Sequence, residues 1–193
     1  NDNDIELLND LLGGMHLVTS NIQGKITEMR KVPLKNTFRP FKRLVRDLSK
    51  KLNKKVELEV IGDDVSVDNI VAKLYSNTLV HIVRNSLDHG LETPEERIAS
   101  GKSPEGKVIF KVYESGEDIV LEIHDDGKGI NPAFIKKMAL EKELFTEEQL
   151  NQMSDLEIVN IIFASGFSTA ETVSDLSGRG VGMDMVRGSF EDM

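Results

Sequence analysis

The strongest constraint on the fold is a pair of strand-like segments joined by a tight turn. KVIFKVYE (107–114) and DIVLEIHD (118–125) are rich in β-branched and aromatic residues, and Ser-Gly-Glu lies between them. Two such runs separated by a short turn that contains glycine predict a β-hairpin. The second segment continues directly into DDGKGI (125–130). Its acidic and glycine residues are therefore predicted to lie at one end of a sheet.

Helical patterns alternate with extended ones along the rest of the chain, which predicts an α/β fold with a mixed sheet. VELEVI (56–61) alternates like a half-buried strand. Thr93 and Glu96, with Pro94 between them, match a capping box and predict a short helix over 94–100. Longer helices are predicted over 68–90, 131–142 and 154–163.

A segment rich in glycine, serine and threonine covers residues 164–182 and predicts a long loop. Loops of that length inside a compact domain are usually functional. GRGVG (178–182) ends this loop and precedes VGMDMVR, which predicts a helix whose first N–H groups are exposed. Such a helix start suits an anion, and phosphate groups in particular.

The first part of the chain carries a heptad pattern, which predicts a long helix that buries a narrow stripe in a dimer or a helical bundle. Pro33 then ends the pattern and marks a hinge near residues 31–36. We therefore predict a helical segment over 1–33 and a second domain over 34–193. The seam consists of Ile5, Leu8, Leu12, Met15, Thr19, Ile22, Ile26 and Met29.

Residues 30–55 carry eleven lysines and arginines and one acidic residue, Asp47, although the whole chain has a net charge of -9. A basic patch of this kind can bind nucleic acid. Its apolar residues, however, repeat with helical period and few aromatic residues interrupt it for base stacking. We therefore predict an amphipathic helix with a solvated basic face and no nucleic-acid partner. Its buried face comprises Phe38, Phe41, Leu44, Val45, Leu48 and Leu52.

The composition excludes several classes of function. The chain has no cysteine, which excludes disulfides, a catalytic thiol and thiolate metal sites and fits a cytoplasmic location. No apolar run approaches the roughly 18 residues of a membrane-spanning helix, and no signal-peptide pattern is present. We therefore expect a cytoplasmic protein without direct membrane insertion.

HIVRNSLDHG (81–90) combines a core-like helix with a polar stripe. His81, Asn85, Asp88 and His89 share one helical face, and this stripe must face water, buried polar groups or a ligand. The Asn85 amide oxygen is a hard ligand of the kind that Mg²⁺ accepts beside phosphate and water. Asp125 at a strand end can accept a hydrogen bond from an exocyclic amine such as that of adenine. With the later glycines, these residues predict a site for an adenine nucleotide and its metal.

Two other nucleotide-binding motifs do not match. The glycines of GRGVG follow a loop and not a strand, as a dinucleotide-binding turn requires, and GxxxxGK[ST] does not occur. The chain therefore has no P-loop lysine, and we reject both the Rossmann and the P-loop interpretation.

The ordered motifs resemble a known family. EMRKVPL, HIVRNSLDHG, HDDGKGI and FASGFSTAETVSDLSGRGVGMDMV resemble the chemotaxis histidine kinases of the CheA family, within the wider superfamily of gyrase, Hsp90, MutL and sensor-kinase ATP-binding domains. The resemblance runs from Met29 to the last residue. It implies an α/β sandwich of the Bergerat type over residues 34–193, and it identifies residues 1–33 as part of a helical dimerisation domain.

The resemblance also implies roles for individual residues. Asn85 would ligate Mg²⁺ and Asp125 would bind the adenine amino group of ATP, while His81 and His89 lie near the phosphates. Phe163 and Ser168 belong to the start of a mobile lid, with Ser168 near the nucleotide. The glycines shape the adenine pocket (Gly127, Gly129) or line the phosphates (Gly178, Gly180, Gly182).

The residue at position 81 separates a kinase from an ATPase. Related ATPases have a glutamate one helical turn before the metal-binding asparagine, and that carboxylate activates water. An imidazole such as that of His81 is a poorer base for water, which favours phosphoryl transfer over hydrolysis. Two alternatives stay open: an ATP-driven conformational switch of the gyrase or MutL type, and a non-catalytic dimerisation module.

The implied partners belong to a two-component chemotaxis system. The family transfers the γ-phosphoryl group of ATP to a histidine on a phosphotransfer domain, works with a chemoreceptor and a coupling protein, and supplies a response regulator. The expected quaternary structure is a homodimer through the N-terminal helix. The chain itself contains no phosphotransfer domain and stops at Met193, where relatives continue into further strands. We therefore expect a C-terminally truncated kinase domain that acts on a separate acceptor.

Overall fold

The structure is a computed structural model that describes residues 2–116, 118–167 and 183–191. Its helices are α1 (Asp2–Met29), α2 (Leu34–Lys51), α3 (Asn69–Asn85), α4 (Pro94–Ala99), α5 (Pro132–Glu141), α6 (Glu147–Gln152), α7 (Asp155–Asn160) and α8 (Met183–Glu191). Its strands are β1 (Lys31–Pro33), β2 (Val56–Ile61), β3 (Ser66–Asp68), β4 (Gly106–Ser115) and β5 (Asp118–Asp125). A π-helical turn, Ser86–Gly90, continues α3, and a 3-10 turn, Ile161–Phe163, continues α7.

The main sheet contains β2, β4 and β5 in that spatial order. β4 and β5 are antiparallel, with Val108 opposite Asp125, which confirms the predicted hairpin. β2 runs parallel to β4, with Val56 opposite Gly106. The sheet is therefore mixed, and the predicted α/β fold class is confirmed.

The principal core lies between this sheet and helices α2 and α3. The alternation in β4 buries Val108, Phe110 and Val112, and the residues between them are more exposed. Phe38 and Phe41 of α2 contact the Phe110 ring edge to face, with ring centroids 5.5 and 5.7 Å apart. Each such side chain contributes about 1.5–3 kcal/mol on burial. The predicted apolar face of α2 is thus confirmed, and its lysines and arginines are exposed.

A second, smaller core joins the helices that follow the hairpin. Helix α6 was not predicted, although Thr146 and Gln149 form a capping box at its start. The loop predicted from residue 164 begins there, directly after the 3-10 turn, and residues 168–182 lie outside the described part of the chain. The buried members of this core are Ile135, Ala139, Leu150, Ile158, Ile161 and Phe167.

The chain between α1 and α2 contains a short strand where the sequence predicted a hinge. β1 pairs with β3 in antiparallel register, with Lys31 opposite Asp68, so it lies against the segment that starts α3. The division into domains after residue 33 stays a prediction. Helix α1 is continuous through Gly13 and Gly14. Among the described residues, no helix combines the length and the apolar character that crossing a membrane requires.

Candidate functional site

The polar stripe predicted over residues 81–90 lies on the open side of α3 and its π-helical turn. Leu79 and Val83 are fully buried on the opposite side, which fixes the rotation of the helix about its axis. His81 is half-buried, and Asn85, Asp88 and His89 are exposed. The stripe is therefore accessible to a ligand.

The π-helical turn is hydrogen-bonded to the loop that follows β5. The Ser86 hydroxyl donates to Asp125 Oδ2 at 3.0 Å, and the Gly127 N–H donates to Asp125 Oδ1 at 3.1 Å. The Lys128 N–H donates to the Gly90 carbonyl oxygen at 2.9 Å. Since Ser86 directly follows Asn85, these bonds bring the predicted metal ligand and the predicted adenine ligand into one neighbourhood.

Two glycines allow this close approach. A Cβ atom on Gly127 would lie 2.3 Å from the Gly90 carbonyl oxygen, a distance at which backbone atoms must move. Gly129 has a φ of +73° and open space around its Cα, so its backbone conformation, and not crowding, favours glycine there. The DDGKG loop can therefore keep its present path only with glycine at position 127.

A buried arginine holds the same loop from its other side. Arg97 is 1% exposed, and its guanidinium donates to Asp126 Oδ2 at 2.6 Å, to the Asp126 carbonyl at 3.2 Å and to Glu92 Oε2 at 3.2 Å. The Lys102 ammonium donates to Glu92 Oε1 at 2.7 Å and to the Gly127 carbonyl at 2.9 Å. Ionic groups thus fix the backbone immediately after Asp125.

This network keeps its carboxylates charged. Burial opposes the charge of Asp126, but the hydrogen bonds from the Lys107 N–H and from Arg97 lower the pKa of that carboxyl below its usual value. The hydrogen bond from Lys102 lowers the pKa of Glu92. Asp126 is therefore committed to structural bonds, whereas Asp125 next to it lies at the exposed end of β5.

Helix α8 lies beside the polar stripe. The Asn85 side-chain amide donates to the sulfur of Met183 at 3.1 Å, a weak acceptor. Tyr75 of α3 and Phe190 of α8 pack with ring centroids 6.0 Å apart. His81 lies in a cavity of about 130 Å³ between the two helices, lined also by Asn77, Thr78, Met185, Val186 and Ser189.

The predicted site residues therefore fall into three groups. Asn85, Asp125 and Gly127 come together around Ser86, while His81 faces α8 from one turn earlier on α3. Phe163 is half-buried in the 3-10 turn that contacts α8. His89 is exposed, and Gly129 lies at the end of the loop. The predictions for Ser168, Gly178, Gly180 and Gly182 fall outside the described residues.

Sequence reasoning missed two residues of this neighbourhood. Ser86 was not singled out, although it is the group that binds Asp125. Arg97 was assigned only to a short helix. The proximity of Ser86 to Asn85 in the sequence was a signal for the first, whereas no local pattern indicated the burial of Arg97.

The residues present fit the metal and the nucleotide that the motifs imply. Within the described residues, no three histidine, aspartate or glutamate side chains cluster as a protein-only metal site. Asn85 uses its amide nitrogen toward Met183, and its oxygen has no hydrogen-bond partner in the described part of the chain. A single neutral oxygen suits Mg²⁺, which retains waters and binds substrate phosphates. Asp125 has a carboxylate at the exposed end of β5, where an amino group can reach it.

Comparison with known proteins identifies the family. A family model described as histidine kinase-, DNA gyrase B- and HSP90-like ATPase matches residues 75–193, which is more than half of the chain. The chain belongs to this ATPase family. The match includes most of α3, the hairpin and the DDGKG loop, so the neighbourhood around Ser86 lies in an ATP-binding domain of the histidine kinase type.

Comparison with individual proteins shows several members of this family to which the chain is similar in sequence. The chain is 42% identical to the chemotaxis protein CheA of Bacillus subtilis over 186 residues, covering 96% of this chain and 28% of that protein. It is 42% identical to the sensor histidine kinase CheAY of Helicobacter pylori, covering 98% and 24%, and 45% identical to CheA of Borreliella burgdorferi, covering 94% and 21%. The predicted resemblance to CheA is confirmed over most of the chain, which spans about a quarter of the length of these relatives.

Proposed function

We propose that the chain is the catalytic ATP-binding core of a chemotaxis histidine kinase. It binds Mg-ATP and transfers the γ-phosphoryl group to a histidine on a separate phosphotransfer domain. The observation that carries this proposal is the hydrogen-bonded connection from Asn85 through Ser86 to Asp125 and Gly127. This connection brings Asn85, a residue suited to bind a metal ion, close to Asp125, a residue suited to bind adenine, within one domain of the ATPase family.

Each group has a distinct role in this proposal. Asp125 accepts a hydrogen bond from the adenine amino group, and Ser86 holds that carboxylate in place. Gly127 and Gly129 would shape the adenine pocket, and Phe163 and Ser168 would belong to the start of a lid, with Ser168 near the nucleotide. Bound Mg²⁺ neutralises phosphate charge, and the Asn85 oxygen is available to hold it. The phosphates would lie along the glycines of the last motif, Gly178, Gly180 and Gly182.

His81 favours transfer over hydrolysis. Its ring is half-buried beside α8, one turn before Asn85, and none of the described residues that line its cavity is a carboxylate. Water activation by a general base is therefore weak there, whereas an imidazole can still hydrogen-bond to a phosphoryl oxygen. His89 is exposed on the same side and is available to the phosphates. Catalysis then comes mainly from positioning and charge neutralisation.

The proposed setting is a cytoplasmic two-component system. The partners are a phosphotransfer domain, a chemoreceptor with its coupling protein, and a response regulator downstream. Helix α1 supplies the homodimer contact. Support for this setting comes from the names of the relatives, a chemotaxis protein and a sensor histidine kinase.

Transfer to a separately supplied phosphotransfer domain tests the proposal. We expect Asn85→Asp and Asp125→Asn each to lower the transfer of labelled phosphate by at least about 100-fold, the scale of losing one preorganised active-site group. Asn36→Asp and Asp64→Asn change exposed residues of the same types and serve as controls. Unchanged transfer in either site variant contradicts the assignment.

The two alternatives give different results in related assays. Rapid ATP hydrolysis without any acceptor domain indicates a conformational switch of the gyrase or MutL type. No binding of a fluorescent ATP analogue at millimolar concentration, with or without Mg²⁺, indicates a non-catalytic dimerisation module.

A further inference from the structure

A basic groove lies between helix α2 and strand β2, and one of its lysines, Lys54, donates to the carbonyl oxygens of Leu87 and Asp88 in the π-helical turn at 2.5 and 3.0 Å. The volume of the groove is about 370 Å³, within the usual range of ligand sites. β2 is one edge of the described sheet, and β4 separates it from β5 and Asp125. Five cations line this basic groove: Lys42, Arg46, Lys50, Lys54 and Lys55.

Most of this charge is not neutralised within the protein. Glu105 is the one acidic residue among those that line the groove. Lys42, Lys50 and Lys55 are exposed and have no carboxylate within ion-pair distance in the described part of the chain. Arg46 pairs only with the exposed Asp47, at 3.3 Å, and such surface pairs contribute little. The groove therefore attracts an anionic partner.

The floor of the groove is apolar and has one unmatched polar atom. Val45 is buried, and Val56 and Leu58 of β2 are only half-buried. Ser49 is 6% exposed, and its hydroxyl has no hydrogen-bond partner among the described residues. A buried hydroxyl without a partner is unusual, because such groups are normally bonded. The site thus offers apolar contact and a free hydrogen-bonding group beneath its cations.

The adjoining edge of β2 supplies a third kind of contact. In the described residues β2 pairs only with β4, so the backbone groups on its outer edge have no strand partner. Extended peptides recognise such edges by adding a strand, with alternate side chains entering pockets on one face. The side chains that would enter the groove lie on the same face as Val56 and Leu58.

This combination selects one class of occupant. A single-stranded nucleic acid is usually held by stacking of its bases, and none of the described residues that line the groove is aromatic. A small anion such as phosphate would leave the apolar floor unused. A flat membrane surface would not reach the floor of a concave site. We propose that the basic groove is a docking site for an acidic peptide segment that adds to β2 as a strand and places carboxylate and apolar side chains together on the helix-facing side.

A pair of capped peptides of equal composition tests this proposal. Asp-Thr-Leu-Thr-Asp places both carboxylates and the leucine on one face of a strand, and Thr-Asp-Leu-Asp-Thr separates them onto opposite faces. We would titrate each into the ¹⁵N-labelled full chain. The first peptide is expected to shift the amide signals of residues 56–61 and to slow their hydrogen exchange, and the second to bind at least about tenfold more weakly.

Charge variants on one helix provide the matched control. The triple variant Lys42→Ala/Arg46→Ala/Lys50→Ala is expected to raise the Kd of the first peptide about tenfold, because each exposed ion pair contributes a modest amount to the binding free energy. Lys35→Ala/Arg39→Ala/Lys51→Ala removes the same charge from exposed residues of α2 outside the groove and should change affinity less than about twofold. Circular dichroism checks that both variants remain folded.

Three outcomes overturn the proposal. The first is equal affinity for the two peptides, which indicates attraction by net charge alone. The second is an equal effect of the two triple variants. The third is tighter binding of a duplex oligonucleotide than of either peptide at the same salt concentration, which indicates a nucleic-acid surface. None of these results depends on ATP, so they leave the proposed kinase function untouched.

Discussion

At the scale of single residues, the bond between Ser86 and Asp125 depends on how α3 ends. In a continuing α-helix, successive side chains point about 100° apart around the axis. Asn85 and Ser86 both have α-helical dihedral angles at the point where the π-helical turn begins, so Ser86 reaches Asp125 while Asn85, about 100° away around the axis, stays on the open side. Such turns are rare and frequently occur at functional sites.

Arg97 is the residue on which the loop after Asp125 depends. Its guanidinium is buried and shares hydrogen bonds among Glu92, Asp126 and the carbonyls of Ser103 and Glu105. Removing one partner of a buried ionic group leaves the others uncompensated, at a cost of about 3–5 kcal/mol. We therefore expect Arg97→Met to lower the free energy of unfolding by about this amount in urea titrations, whereas the exposed Arg39→Met changes it little.

The positioning role of Arg97 has its own readouts. We expect Arg97→Met to raise the Kd of an ATP analogue at temperatures where the variant is still folded. The folded-state pKa of Asp126 and of Glu92 is lowered, so their contribution is complete above the unfolded pKa and is lost as the pH falls through the folded pKa. The stability difference from wild type should therefore be largest near neutral pH and should shrink as the pH falls below about 5, toward the lowered folded-state pKa values. A pH-independent difference would contradict this role.

The functional residues that were predicted from the sequence lie in short motifs, whereas those that were missed depend on contacts with distant parts of the chain. Asn85 and Asp125 lie in short motifs whose residue types and spacing indicate the chemistry of the site. Arg97 lacks such a signal, since arginine is seldom fully buried and its carboxylate partner Asp126 is distant in the chain. Ser86 stands beside Asn85 in the sequence, but its bond to Asp125 joins residues 39 positions apart, and no local pattern reports such a contact.

At the scale of elements, the turn after β2 depends on one glycine. Gly62 has a φ of +78°, and a Cβ on it would lie 2.0 Å from the Val112 carbonyl oxygen of β4. Gly101 has nearly the same φ, +75°, with open space around it. Substitution of Gly101 therefore tests backbone strain alone, whereas substitution of Gly62 tests backbone strain together with steric overlap.

Alanine at these two positions should give different stabilities. We expect Gly101→Ala to cost about 1–2 kcal/mol, the penalty of a left-handed backbone for a residue with a Cβ. Gly62→Ala carries the same penalty and about 1–3 kcal/mol more, because the β4 backbone must move. Urea unfolding of both variants measures the difference, and equal losses would show that the turn relaxes freely away from Val112.

The helices and strands that were predicted correctly from the sequence are those long enough to show a recognisable pattern of residue types. β2 alternates over six residues, the hairpin strands are eight or more residues long and flank a short turn with glycine, and α4 carries both halves of a capping box. β1 and β3 have three residues each, too few for alternation to stand out from chance. They form because antiparallel pairing brings Val32 opposite the buried Val67, a long-range contact that local patterns do not report.

At the scale of the whole molecule, α1 exposes apolar residues of its heptad seam wherever the structure describes their side chains. Met15 and Ile22 are 67% and 53% exposed, and both belong to the predicted heptad stripe. A seam of this kind is stable when a second helix covers it. We therefore expect the chain to sediment as a dimer in analytical ultracentrifugation.

Substitution of seam residues by charged residues should dissociate the dimer. Met15→Glu/Ile22→Glu is expected to weaken self-association by about 100-fold or more, because carboxylates lose their hydration in an apolar contact. Leu17→Glu alters an exposed residue on the same helix but outside the stripe and should leave the dimer intact. A wild-type monomer at high concentration would contradict the seam interpretation.

The order of strands in the main sheet also sets an order of assembly. β4 and β5 are separated by a short turn, whereas β2 meets β4 only after the chain has passed through α3 and α4. The entropy lost on closing a loop grows with its length, and hairpins form within about 1–10 μs. The nascent chain therefore acquires its hairpin early and gains β2 late. Until then the hairpin edge that will receive β2 is open to other strands, so refolding at high concentration is when mispairing between chains is most favoured.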